Sequence, residues 1–283
     1  MINIIYFYLL KNNVIIVLFK RKIVSKKVRW IILADTKNYS ETLGFGMLLA
    51  STGGFMDMYS YSVHGHVFAT GQTGNLVLVA FNLADRNYIE MFHALVPIIS
   101  FWIGIFISWY MFYSAFREKS LLWQRGILTV SMLALFIAGL IPSTYSDIFA
   151  NTLVSFAASL QYCAFRKLGS GDNYASIFCT GNMRSCADNY FKGIVKKDKA
   201  CLKKALRYSC ILISFFIGAV ISSLEAGIFH EKSIWTVEII LIAGFIISFL
   251  YNSNIQKRIA LVSIIKTQFD NIMYKLKTQN EIK

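Results

Sequence analysis

Thr73-Gly74-Asn75 and Thr180-Gly181-Asn182 are one tripeptide written twice, and the chain is organised around the two copies. The first copy lies in Val67 to Ala84, an apolar run interrupted by Gly71, Gln72, Thr73, Gly74 and Asn75. The second lies in the less apolar stretch Tyr174 to Asp188. After each copy a nonapeptide recurs, Ser100-Phe101-Trp102-Ile103-Gly104-Ile105-Phe106-Ile107-Ser108 and Ser214-Phe215-Phe216-Ile217-Gly218-Ala219-Val220-Ile221-Ser222, identical at six of nine positions. Two markers repeated in the same order read as two related halves, each centred on a Thr-Gly-Asn break.

The surroundings of these markers belong to a bilayer. The 283 residues are 56% hydrophobic and 16% charged, with a mean hydropathy of +0.52, too apolar for a soluble domain of this length. Lysine and arginine exceed aspartate and glutamate by 29 to 15, a net charge of +14. These bases collect in loops and tails beside apolar runs, where positive-inside topology accounts for them without a nucleic-acid partner. Cys163, Cys179, Cys186, Cys201 and Cys210 form no C-x-x-C and are odd in number, so free thiols are expected.

Leu43 to Val63 is long enough to cross a core of about 30 Å. Met91 to Phe116, Gly126 to Ile141, Asp147 to Phe165, Leu206 to Leu224 and Ile234 to Tyr251 follow. Met1 to Phe19 is near break-even, because a lysine at mid-bilayer costs about 3 kcal/mol against about 0.5 kcal/mol gained per strong apolar residue. This division gives a basic extension over 1–40, a transmembrane domain over 41–251 (halves of about 41–142 and 146–251) and a tail over 252–283. Apolar residues from Ile255 to Leu276 recur in the tail at helical spacing, the pattern of a helix lying on anionic inner-leaflet lipids.

Charge orients the chain. If neither Thr-Gly-Asn segment crosses fully, the basic stretches Lys20 to Arg29, Arg117 to Lys119 and Arg166 to Arg207, and the tail, all fall in the cytoplasm. Crossing by both segments puts Arg117, Lys119, Arg166 and Lys167 outside. The expected fold is therefore an all-α, multi-pass protein of the cell membrane with both basic flanks cytoplasmic. It has six full spans, eight if both segments cross, in two inverted halves whose breaks enter from opposite faces and meet near the midplane.

Asp57 stands inside the first span, and a carboxylate there costs about 3 kcal/mol or more unless it is paired or wet. It reads either as part of an ion or substrate path or as the cap of a half-helix. Gly53 and Gly54 read as a helix break or as a site of close helix packing. Around the repeats, Gly74 and Gly181 let the backbone unwind, while Gln72, Thr73, Asn75, Thr180 and Asn182 bond freed backbone groups or face a ligand. His64-Gly65-His66 follows Asp57, but no metal-ligand spacing supports it. No nucleophile elbow, Walker loop, H-E-x-x-H or dinucleotide fingerprint is present. No cofactor, metal or enzymatic activity is expected.

At these residues the chain resembles the YoaK-like (UPF0700) family of bacterial multi-pass membrane proteins of unknown function. The strings that carry the likeness are Gly53-Gly54-Phe55-Met56-Asp57 with Tyr59 to Tyr61, and Val67-Phe68-Ala69 running into Gln72-Thr73-Gly74-Asn75. Ala164-Phe165-Arg166-Lys167-Leu168-Gly169 and Thr180-Gly181-Asn182-Met183-Arg184 complete them. The resemblance covers about Glu41 to Tyr251, and it brings Gln161 and Arg184 into the candidate path. The chain departs from the pattern where Tyr162 follows Gln161 and where Ser176-Ile177-Phe178-Cys179 replaces a threonine-rich approach. The combined expectation is a small secondary transporter or permease, carrying an ion or small metabolite through a midplane site at the two breaks. The alternative is a non-transport scaffold, sensor or stress-related protein.

Overall fold

An apolar chain that must satisfy every backbone amide without water has helix as its simple solution, and the computed structural model is helical over almost all it describes. The described residues are 9–10, 14–15, 39–117, 119–142, 147–168 and 172–251. The amphipathic pattern of 252–283 and most of the 1–40 extension lie outside them. Within that extension β1 (Leu9–Leu10) and β2 (Val14–Ile15) pair antiparallel, Leu9 opposite Ile15, so this stretch is not part of a continuous helix.

Eight helices follow among the described residues: α1 (Leu43–Val63), α2 (Gln72–Ala84), α3 (Tyr88–Tyr110), α4 (Ser120–Ala138), α5 (Asp147–Ala164), α6 (Thr180–Val195), α7 (Lys199–Phe229) and α8 (235–251). Their starts have local causes. Thr42 caps α1 by accepting from the Phe45 amide at 3.3 Å, and Asp198 caps α7 by accepting from Ala200 at 2.8 Å. Three stretches, Tyr88–Ala115, Ser120–Ala138 and Lys199–Tyr251, are long and apolar enough to cross a membrane by length and composition among the described residues. The third is two helices, because a 3-10 turn over His230–Ile234 divides it. A two-stranded pair, β3 (Lys167–Leu168) with β4 (Asp172–Asn173), links α5 to α6.

The structure corrects two expectations about breaks. Helix α1 runs unbroken through Gly53 and Gly54; both glycines are there for close approach. A Cβ on Gly53 would lie 2.8 Å from the Ile177 carbonyl oxygen, and one on Gly54 would collide with the Phe215 carbonyl. Nor is helix lost at Gly74 or Gly181. The irregular backbone precedes them, in 64–71 and 174–179, and each Thr-Gly-Asn lies in the first turn of the helix that follows. Of the apolar run Val67 to Ala84 only 13 residues are helical, about 20 Å at 1.5 Å per residue and too short for a core of about 30 Å.

Packing fixes directions. Gly46 meets Ile211 and Gly54 meets Phe215 and Ala219, so α1 and α7 run the same way. Ser100 Oγ donates to the Thr152 carbonyl at 2.8 Å while Gly104 meets Phe156 and Ser159, so α3 and α5 also run together. Helices α1 and α5 are antiparallel: Phe45 lies 5.1 Å from Phe165 at one end, and His64 reaches Asp147 at the other. The core between α1, α4, α5 and α8 holds Phe45, Leu49, Met56, Ile127, Leu135, Leu160 and Leu241, while Phe106, Phe216 and Ile246 stay exposed. An apolar exterior is what a bilayer solvates.

Candidate functional site

Beyond α1 the chain turns back through Gly65 and His66, both at positive φ (76° and 57°), and returns to the level of Ser60 and Asp57. The Ala69 amide donates to Ser60 Oγ at 3.0 Å. The Thr70 amide and hydroxyl both donate to Asp57 Oδ1, at 3.1 and 2.5 Å. Gly71, which follows, is the N-cap of α2 and has no side chain to cap it, so the carboxylate of one helix anchors the backbone just ahead of another. It also sits where the partial positive charge of that helix end concentrates. Gln72 Nε2 then donates to the Ala69 carbonyl at 2.9 Å and to Ser155 Oγ on α5 at 3.0 Å, holding the start of α2 against the bundle.

Asn75, fully buried, turns back on its own approach: Nδ2 donates to the Phe68 carbonyl at 2.9 Å and to Gln72 Oε1 at 3.0 Å. Asn182 does the same seven residues back. Its Nδ2 donates to the Ala175 carbonyl at 2.7 Å and the Phe178 carbonyl at 2.8 Å, and its Oδ1 accepts from the Ala175 amide at 3.0 Å. Both asparagines thus clasp the strand that leads into their helix.

The second approach passes deep into the bundle. Ile177 packs its backbone on Gly53, halfway along α1, and Phe178 rests between Phe101 and Tyr162 with centroids 6.0 and 4.7 Å away. Cys179, the N-cap of α6, follows directly, so the approaches to α2 and α6 both pack on the same middle stretch of α1.

Several expected site residues stand elsewhere. Thr73, Thr180 and Gly181 are exposed in their first turns. Arg184 is exposed and pairs with Asp188 at 3.9 Å. Gln161 is fully buried on α5 with neither amide atom bonded among the described residues. Ser222, the last residue of the second nonapeptide, is likewise buried with a hydroxyl that meets no partner among them. Thr70, Ser60 and Ser155 were not anticipated, because a serine or threonine carries no sequence signal saying which distant carboxylate or amide it will meet.

His64, the first residue beyond α1, is fully buried. Its Nδ1 lies 3.0 Å from Asp147 Oδ1 and its Nε2 2.9 Å from Tyr59 Oη, while Tyr59 Oη donates to the Glu231 carbonyl at 3.0 Å. Asn151 Nδ2 donates to the His64 carbonyl at 2.8 Å. Burial pushes the imidazole pKa below its ordinary value, against an opposing pull from Asp147. With the ring neutral, Nδ1 donates to Asp147 and the single Tyr59 proton serves either Nε2 or the Glu231 carbonyl. Both nitrogens are engaged, and among the described residues no three histidine, cysteine or acidic side chains gather as metal ligands.

Residues 45–247 match a protein-family model described as a protein of unknown function, DUF1275. The chain is 27% identical over 212 residues to the UPF0700 transmembrane protein YoaK of Bacillus subtilis (strain 168), across 71% of this chain and 91% of that relative. No solved structure matches.

Proposed function

The chain belongs to the DUF1275 (UPF0700) family of membrane proteins, and from that premise we propose that it is a small secondary transporter or permease for an ion or small metabolite, with six full spans in two inverted halves. The observation that carries this reading is Asp57 beside the start of α2, on the helix against which the approach to α6 also packs. Half-helices that begin near the middle of a bundle, with irregular backbone ahead of them, are a form in which transporters expose main-chain groups and helix ends to a solute. The inverted arrangement draws support from the seven-residue clasp made by both asparagines. It also draws support from the crossings of Gly104 with α5 and Gly218 with α1. The six helices other than α2 and α6 are the proposed spans, with the basic flanks cytoplasmic by their charge.

A non-transport role is the second reading. It is favoured by the same bonds seen differently, since Asp57, Gln72, Asn75 and Asn182 all bond the protein's own groups. Uptake into proteoliposomes, measured against panels of ions and metabolites with and without a pH gradient, separates the two. On the transport reading Asp57→Asn stays folded and abolishes gradient-driven uptake while exchange partly survives. Loss of folded Asp57→Asn in mild detergent, or no flux of any solute in the wild type, moves the carboxylate to the capping role.

A further inference from the structure

Beside the first turn of α6 opens a cavity of about 540 Å³ lined by Arg166, Lys167, Asn173, Tyr174 and Gly181, among others. Its volume falls in the range of small-molecule sites, roughly 300 to 1,000 Å³. Among the described residues neither Arg166 nor Lys167 forms an ion pair, because the nearby carboxylate, Asp172, is held by Lys204 at 2.7 Å and Arg207 at 3.5 Å. The start of α6 adds partial positive charge. Its N-cap, Cys179, makes no side-chain cap bond, and a Cβ on Gly181 would meet nothing within 4 Å, so the first-turn amides there are approachable. Tyr174 lines the same cavity, but its ring packs against Gly46, Ala50 and Ile211 and its hydroxyl is buried away from it.

Two cations without an ion pair among the described residues, beside a positive helix end, repel a cation and are wasted on a neutral solute. We propose that this cavity binds an oxyanion group, a phosphate or carboxylate on a small molecule, held by Arg166 and Lys167 with the opening amides of α6 as neutral donors. The site deepens the transport reading by giving the solute a negative charge, and rests on that reading only for the solute's onward passage.

The test is thermal denaturation of the full chain in mild detergent, titrated with inorganic phosphate or succinate while chloride holds ionic strength constant. A parallel arm uses detergent micelles containing phosphatidylglycerol or phosphatidylcholine. The expected result is a saturable rise in melting temperature with a phosphate or carboxylate probe. Its apparent affinity falls at least tenfold in both Arg166→Gln and Lys167→Gln and is unchanged in Lys203→Gln, an exposed cation of α7. A response to phosphatidylglycerol alone, lost in the same two variants, assigns the oxyanion to a lipid headgroup. Equal responses in all variants, or a rise that chloride reproduces, overturn the proposal. Binding without flux leaves this site standing and removes transport. Flux that survives Arg166→Gln, with no binding, does the reverse.

Discussion

Helices α2 and α6 begin with the same tripeptide and close it with the same seven-residue clasp, but what each start faces is opposite in charge. At α2 the approach is finished by a carboxylate, with Asp57 accepting from the Thr70 amide and hydroxyl. At α6 the mouth carries Arg166 and Lys167, unpaired among the described residues. Their outer faces differ as well. Leu76, Val77 and Phe81 leave α2 apolar and exposed, whereas α6 exposes Arg184 and Asp188 alongside Met183 and Phe191. The repeat therefore sets how a helix starts, and residues remote from it in sequence set the chemistry that start presents. A duplicated element diverges most easily in this way, because the clasp is local and its surroundings are contributed by other helices.

The sharpest break would come at the crossings the halves share. Gly218→Ala should cost about 3 kcal/mol or more, since the new methyl meets the Ser51 carbonyl and backbone cannot step aside. Gly104→Ala should cost nearer 1 kcal/mol, because its tightest neighbour is the Ser159 hydroxyl, which can rotate away. Melting in detergent reads both, and equal losses would mean the two crossings are alike in rigidity.

The clasps should rank next. Asn182→Ala removes three hydrogen bonds and Asn75→Ala two. At about 0.5 to 1.5 kcal/mol per bond the second-half substitution should be the more destabilising by about 1 kcal/mol. A larger loss at Asn75 would show that Asp57 and Asn75 hold the first start as one unit.

A smaller difference should follow pH, through a buried closure built on His64, Tyr59 and Asp147 of the α1–α5 pair. The folded state favours neutral His64, so its contribution to stability is full above the ordinary histidine value of about 6.5 and is lost as pH falls toward the depressed folded value. The slope is at most about 1.4 kcal/mol per pH unit. Melting curves of His64→Gln should lack this part of the slope; an unchanged pH profile would exclude His64 as its source.

The smallest effect is expected inside the tripeptide itself. With open space around Gly181, Gly181→Ala should be neutral or stabilising by about 0.5 kcal/mol, the ordinary gain of alanine over glycine in a helix. A loss above 1 kcal/mol would restore a conformational requirement for that glycine.

The sequence by itself determined that the chain belongs in a bilayer, where its apolar runs lie, and that two Thr-Gly-Asn copies mark equivalent places. Each of these is a local property, a matter of hydropathy over one helix length or of identity between short strings. Only the tertiary structure decided what Gly53 and Gly54 are for, because a glycine that ends a helix and one that admits a neighbour look alike until Ile177 and Phe215 arrive from far along the chain. It likewise decided that Asp57 meets Thr70, that Gln161 has no partner among the described residues, and that Asp172 is spent on Lys204 and Arg207. Hydrophobic periodicity says which face of a helix is turned inward, but which groups meet there depends on the crossing of helices distant in sequence. That crossing is fixed by backbone contacts at single glycines that no local pattern records.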